Sequence, residues 1–168
     1  HATGDSQMKL SVGDRLPETN LYVLTEDGPQ AVSTSDWFAG RKVVVFAVPG
    51  AFTATCHNNH VPNFLENLDS LKSKGVDEVA CLAVNDVFVL NAWSEATGAK
   101  GKLTFLSDGN GEFTGAIGAE NDISVVGLGI RSKRYVMLVT DGVVDFVSVE
   151  EARGTIEKSS AEIVLQQL

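Results

Sequence analysis

Apolar and polar positions along the chain fall into a few repeating patterns. Val43–Val48 is an unbroken run of β-branched, aromatic and small apolar residues, the signature of a strand covered on both faces, and it predicts the centre of a sheet. Upstream, Leu16 to Val23 alternates apolar and polar residues ahead of Glu26-Asp27-Gly28-Pro29, which predicts a strand and then a turn. Ser35 is placed to cap a short helix closed by Gly40. Downstream, Val61, Phe64, Leu65, Leu68 and Leu71 recur at helical spacing and predict a helix from Thr55 to about Ser73, with Gly75 as its stop. Pro62 falls inside that span, where a proline removes a backbone bond and kinks the helix, so the first turn is expected to tilt away from the rest.

The second half alternates in the same way. Val79–Val84 predicts a strand, Val87–Thr97 a helix capped by Asn85 or Asp86 and closed by Gly98, and Leu103–Leu106 a third short strand. Tyr135–Thr140 and Val143–Val149 flank Asp141-Gly142, the strongest hairpin signal in the chain. Ser159-x-x-Glu162 has the spacing of a capping box and predicts a final helix from Ala161 to Leu168. Strand, helix, strand, helix, strand, hairpin and helix describe an α/β fold with a central mixed sheet flanked by helices. At 168 residues, with no internal repeat or low-complexity linker, the chain is expected to form a single domain over residues 8–168. His1–Gln7 reads as a disordered or processed end outside that domain.

Charge and cysteine usage narrow the chemistry. A net charge of −9 and a pI near 4.7 argue against nucleic acid or an anionic membrane surface as partner, because both require clustered Lys and Arg. The densest basic group is only Arg131, Lys133 and Arg134. No apolar run approaches the ~20 residues of a spanning helix. The two cysteines, Cys56 and Cys81, are too few for a disulfide scaffold and lack Cys-x-x-Cys spacing, which disfavours a dithiol oxidoreductase. His57 and His60 have no cysteine or carboxylate partners at ligand spacing, so no metal is expected.

The chemistry-bearing candidate is Cys56, which the segment Pro49-Gly50 delivers from the apolar run to a helix start. Unpaired N–H groups and the partial positive charge at such a terminus favour thiolate over thiol. A cysteine is ordinarily a small inert hydrophobe, but Cys56 is surrounded by Thr53, Thr55, His57, Asn58, Asn59 and His60. Pro49-x-x-x-Thr53-x-x-Cys56, set in Val48-Pro49-Gly50-Ala51-Phe52-Thr53-Ala54-Thr55-Cys56, resembles the active-site motif of the peroxiredoxins, and its wording is nearest to the peroxiredoxin-5 (type II) subfamily. Cys81-Leu82-Ala83-Val84-Asn85-Asp86, Leu106-Ser107-Asp108-Gly109-Asn110 and Gly129-Ile130-Arg131-Ser132-Lys133-Arg134-Tyr135 resemble later segments of the same subfamily, so the similarity runs from about Val12 to Leu168.

The resemblance implies a thioredoxin-like fold and a thiol-dependent peroxidase that reduces hydrogen peroxide and alkyl hydroperoxides without metal, haem or flavin. Cys56 would be the peroxidatic nucleophile, becoming a sulfenic acid, with an external thiol such as glutathione with glutaredoxin, or thioredoxin, restoring it. Thr53 alone reads as a helix cap; the resemblance adds a hydrogen bond to the thiolate and the peroxide. Arg134 alone reads as a solvated strand-edge residue; the resemblance points its guanidinium at Cys56. Pro49 alone reads as a turn residue; the resemblance makes it a shield for the sulfur. Gly50, Phe52 and Arg131 are expected along the substrate pocket, and His57 near it. Cys81, placed at the start of an apolar strand, is either an inert buried thiol or a resolving cysteine that pairs with Cys56 after local unfolding.

The resemblance also implies a homodimer. A thiol cycle belongs in a reducing compartment, hence the cytoplasm or, after loss of a transit peptide, an organelle matrix. The sequence departs from the subfamily at Ala54, where proline is usual, and at His57, where serine is frequent. Two other readings stay open from the residues alone: a Cys–His hydrolase using Cys56 with His57 or His60, and a redox-sensing binding protein whose interface switches when Cys56 is oxidised.

Overall fold

A computed structural model describes residues 8–152 and 154–168; the expectation for His1–Gln7 lies outside the described residues. The elements in chain order are β1 (Asn20–Thr25), β2 (Gly28–Ser33), α1 (Thr34–Phe38), β3 (Lys42–Ala47), a π turn (Cys56–His60), α2 (Val61–Glu66), α3 (Leu68–Ser73), β4 (Glu78–Ala83) and α4 (Val87–Ala96). There follow β5 (Thr104–Ser107), α5 (Glu112–Ala116), β6 (Glu120–Asp122), a 3-10 turn (Ser124–Val126), β7 (Ile130–Ser132), β8 (Tyr135–Thr140), β9 (Val143–Val149) and α6 (Ala161–Leu165).

Seven strands form one mixed sheet in the order β2-β1-β5-β4-β3-β8-β9. β3, β4 and β5 are parallel and joined by helical crossovers, whereas β8 runs antiparallel to β3. The apolar run of β3 is continuous because both faces of the sheet are covered. Val44 and Phe46 pack with Phe64, Leu71, Trp93 and Val164 on one side; Val43, Val45 and Ala47 pack with Phe38, Phe113, Tyr135 and Met137 on the other.

Several expected boundaries move. The first strand is Asn20–Thr25 rather than Leu16–Val23, and its partner β2 was not legible because Gly28-Pro29-Gln30 reads as turn. The cap of α1 is Ser33, whose Oγ accepts from Asp36 N at 3.2 Å, not Ser35. At the last helix the cap is Ser160, accepting from Ile163 N, while the Ser159 hydroxyl donates to Glu150 Oε2. No Ser159/Glu162 capping box forms: Glu162 accepts from Asn63 and Asn67, and the helix stops at Leu165. The Asp141-Gly142 hairpin forms as expected, with φ of 49° and 78°, the positive pair that a type I′ turn demands.

The helix expected from Thr55 to Ser73 is divided. A π turn at Cys56–His60 closes with Val61 N–H bonding Cys56 O, immediately ahead of Pro62, which has no N–H to continue the ladder to Asn58. The irregularity that Pro62 predicts thus takes the form of a widened turn at Cys56. A second break at Asn67, with φ −102° and ψ 6°, separates α2 from α3 and has no proline behind it.

Asp86 caps α4, its Oδ1 accepting from both Phe88 N and Val89 N at 2.9 Å. Asp86→Ala should lower stability to unfolding by about 1 kcal/mol, the usual cost of losing such a cap, measured by urea denaturation.

Candidate active site

Sheet register assembles the site. Ala47, the last residue of β3, pairs with Tyr135, the first residue of β8, so the segment leaving β3 with Pro49 to Cys56 lies beside Arg134, which enters β8. Asn85 follows the end of the neighbouring β4, and its Oδ1 accepts from Ala51 N at 2.9 Å. Ser107, at the end of β5, donates through Oγ to Asn85 O at 2.6 Å. The carboxyl ends of three parallel strands therefore support one loop, the position at which open α/β sheets carry their sites.

Cys56 is fully buried at the start of the π turn. Two donors converge on its sulfur: Arg134 Nη2 at 2.9 Å and Thr53 Oγ1 at 3.0 Å. Thr53 Oγ1 also lies 2.7 Å from Gly50 O. A hydroxyl has one proton. With a thiol, Sγ–H can donate to Oγ1 while Oγ1–H donates to Gly50 O; with a thiolate, the hydroxyl proton turns to the sulfur. Thr53 therefore suits either protonation state without moving its heavy atoms.

Arg134 is 4% exposed, not a solvated edge residue. Its Nη1 lies 2.7 Å from His60 Nδ1, and His60 Nε2 lies 2.9 Å from Ser159 O. Burial, reinforced by the positive charge of Arg134, pushes the pKa of His60 down to about 3. The sequence marks His60 as a polar neighbour, a metal-ligand candidate without partners and a rival base, but not as a partner of Arg134. Its spacing of four residues from Cys56, one helical turn on the same face, was the available signal.

A cavity of about 300 Å³ opens between the loop and the β6–β8 region. Pro49, Thr53 and Arg134 line it together with Ala54, Ile123 and Leu128. A larger cavity of about 680 Å³ borders Arg134 beside β9 but is lined by neither Pro49 nor Thr53, so the smaller one, which both donors to the sulfur line although Cys56 itself does not, is the candidate substrate space. Ile123 and Leu128 went unnoticed in the sequence because nothing local marks them; tertiary folding alone brings them there.

Of the remaining expected pocket residues, Arg131 sits behind the loop. Its Nη1 donates to Pro49 O at 3.2 Å and its Nε to Leu128 O at 2.9 Å, tying the loop to the opposite wall. A Cβ at Gly50 would stand 2.6 Å from Arg131 Nη1, so a side chain there would displace that guanidinium from the loop. Phe52 is half exposed, has φ 64°, and stacks on His57 with ring centroids 5.9 Å apart. His57 Nδ1 accepts from Trp93 Nε1 at 3.0 Å. Cys81 lies inside β4, opposite Phe46, rather than at its start, and is fully buried. Burial pushes its thiol pKa up, with proximity to Cys56 adding to the shift and Arg134 opposing it.

Comparison with known proteins follows the same lines. The Redoxin family matches residues 11–165. The chloroplastic peroxiredoxin-2E of Arabidopsis thaliana is 46% identical over 99% of this chain and 73% of its own length. Peroxiredoxin-2B of the same plant is 42% identical over 95% of this chain and 98% of its own. The reduced Prx3 of Vibrio vulnificus, solved in complex with hydrogen peroxide, superposes with a TM-score of 0.89 at 44% identity, covering 94% of this chain and 98% of that one. Peroxiredoxin 5 of Alvinella pompejana superposes with a TM-score of 0.81 at 35% identity, covering 95% and 99%. With likeness at that level along nearly its whole length and a thioredoxin-like mixed sheet beneath it, the chain belongs to the peroxiredoxin family and is a thiol-dependent peroxide reductase.

Proposed function

We propose that the chain reduces hydrogen peroxide and small alkyl hydroperoxides at Cys56 and is returned to the thiolate by an external thiol. The observation that carries this reading is the pair of donors, Arg134 Nη2 and Thr53 Oγ1, on one buried sulfur, both of them also lining an open cavity. The Cys56 thiolate attacks the terminal peroxide oxygen, the O–O bond breaks, and the leaving oxygen takes a proton to depart as water or an alcohol. Cys56 is left as a sulfenic acid. An external thiol then forms a mixed disulfide with loss of water, and a second thiol releases the Cys56 thiolate.

Each group has a physical task. Fixed donors aimed at the reacting centre stabilise charge as it passes from sulfur to the departing oxygen, and because Cys56 and Arg134 are buried they act with reduced screening. Thr53 orients the thiolate, and Pro49 in the cavity wall shields it from water. The apolar side chains of Ala54, Ile123 and Leu128 give an alkyl group a place to lie.

Glutathione with glutaredoxin, or thioredoxin, suits the regenerating step, which requires a reducing compartment such as the cytoplasm or an organelle matrix. Among the described residues no helix is long and apolar enough to cross a membrane. Exposed apolar side chains at Phe52, Phe88, Val125 and Val126 support a homodimer that buries them.

Geometry disfavours the hydrolase alternative. A base needs a lone pair turned to the sulfur, but His57 Nδ1 is taken by Trp93 and His60 Nδ1 by Arg134. For Cys81 we propose an inert thiol: it sits mid-strand in the core, and burial keeps it protonated. Cys56 and Cys81 belong to the same core cluster, which is what favours the second reading, a resolving cysteine.

Steady-state peroxide consumption with an external thiol separates these roles. Cys56→Ser should abolish turnover. Thr53→Ser should keep most activity and Thr53→Val lose most of it, whereas equal losses would leave Thr53 a structural role. Arg134→Ala should slow oxidation by about 100- to 1,000-fold, the effect of removing one preorganised donor. Cys81→Ser should turn over at the wild-type rate; loss of turnover, together with loss of a Cys56–Cys81 disulfide, would establish the resolving reading.

A further inference from the structure

The Arg134 guanidinium could rotate about its side-chain torsions, so its aim at the sulfur has to be maintained. We propose that His60 is a positioning residue, accepting a hydrogen bond from Arg134 Nη1 at Nδ1 so that Nη2 of the same guanidinium is held on the Cys56 sulfur. This rests on the role given to Arg134 above and adds a group that controls it.

Hydrogen-bond bookkeeping fixes the protonation of the ring. A guanidinium has only donors, so Nδ1, 2.7 Å from Arg134 Nη1, is the acceptor. A carbonyl has only lone pairs, so Nε2, 2.9 Å from Ser159 O, carries the proton. His60 is therefore neutral in one defined tautomer, and its strongly lowered pKa agrees. Neutrality matters for the chemistry. A carboxylate at this position would also hold the guanidinium, but it would compete with the thiolate for the positive charge, whereas a neutral imidazole fixes direction without opposing charge.

His60 is itself held. Its ring packs against Phe46 and Phe64, with centroids 4.9 and 5.5 Å away. The Ser159 hydroxyl donates to Glu150 Oε2 at 2.7 Å, and Glu150 N–H donates to Arg134 O at 2.9 Å. The bonds close a ring through Arg134 main chain, Glu150, Ser159, His60 and the Arg134 guanidinium. The same residue is thus gripped at both ends, and the segment between β9 and α6 takes part in aiming it.

Two amide substitutions separate the ring nitrogens. Asn places its amide near the position of Nδ1 and can still accept from Arg134; Gln reaches the position of Nε2 and can still donate to Ser159 O but abandons Arg134. The rate constant for Cys56 oxidation by hydrogen peroxide, from single-turnover stopped-flow measurement, is compared for wild type, His60→Asn and His60→Gln, each alone and combined with Arg134→Ala. His60→Asn should remain within about threefold of wild type, and His60→Gln should fall about 10- to 100-fold, the range seen when a partner that orients a functional group is lost. In the Arg134→Ala background His60→Gln should change the rate by less than about threefold, since a group acting through Arg134 has nothing left to act on.

Thermal unfolding identifies any variant that fails to fold. If His60→Gln does, His60→Phe, which keeps the ring contacts and loses both hydrogen bonds, carries the same expectation. Equal rates for wild type and His60→Gln, or a His60→Gln loss that persists undiminished on Arg134→Ala, overturns the proposal. A normal rate for Arg134→Ala alone overturns the role of Arg134 itself, and the proposal with it.

Discussion

A cation that has left water must be met by acceptors or by an anion, and Arg134 is such a cation. On one side the fold supplies a neutral imidazole nitrogen, on the other a sulfur that can carry negative charge. That arrangement directs the guanidinium onto the sulfur, the placement on which the proposed reading depends. The Thr53 hydroxyl, able to donate to either Gly50 O or the sulfur, completes the arrangement at little cost in reorganisation.

Topology explains why these groups meet. Cys56 and Arg134 are 78 residues apart in sequence but adjacent in space because β3 and β8 pair antiparallel with Ala47 opposite Tyr135. A one-residue slip in that register would turn the strand's side chains to the opposite face and uncouple the two. Burial of both faces of β3 strongly resists such a slip. The π turn adds a local adjustment: Pro62 cannot close an ordinary ladder, and the widened turn ahead of it carries both Cys56 and His60. Core packing and site geometry are in this sense one constraint, expressed at the carboxyl ends of the parallel strands.

Much of this was legible in the sequence where the signal is local. The run at Val43–Val48, the Asp141-Gly142 turn and the Asp86 cap each combine a pattern with a residue of defined backbone preference, and each formed close to where it was expected. Local ambiguity misplaced other features. Ser33 and Ser35 are both competent caps, as are Ser159 and Ser160, and tertiary contacts decided between them: Thr34 is engaged by Pro17 and Glu18, and Ser159 by Glu150. Short elements with little apolar content, such as β2, β6 and β7, had no pattern to find. Cys56, Thr53 and Pro49 lie in one contiguous motif, so their proximity follows from the chain itself. Arg134, Asn85, Ile123 and Leu128 converge only through sheet pairing and loop packing, which no local window contains.

Treatment of the reduced protein with one equivalent of hydrogen peroxide in the presence of a dimedone-type trap, followed by intact mass and peptide mapping, tests the central claim most directly. The account predicts one trap adduct per chain, on Cys56 alone, formed at the rate at which peroxide disappears. An unmodified Cys56 with peroxide consumed, or an adduct on Cys81 instead, would contradict it.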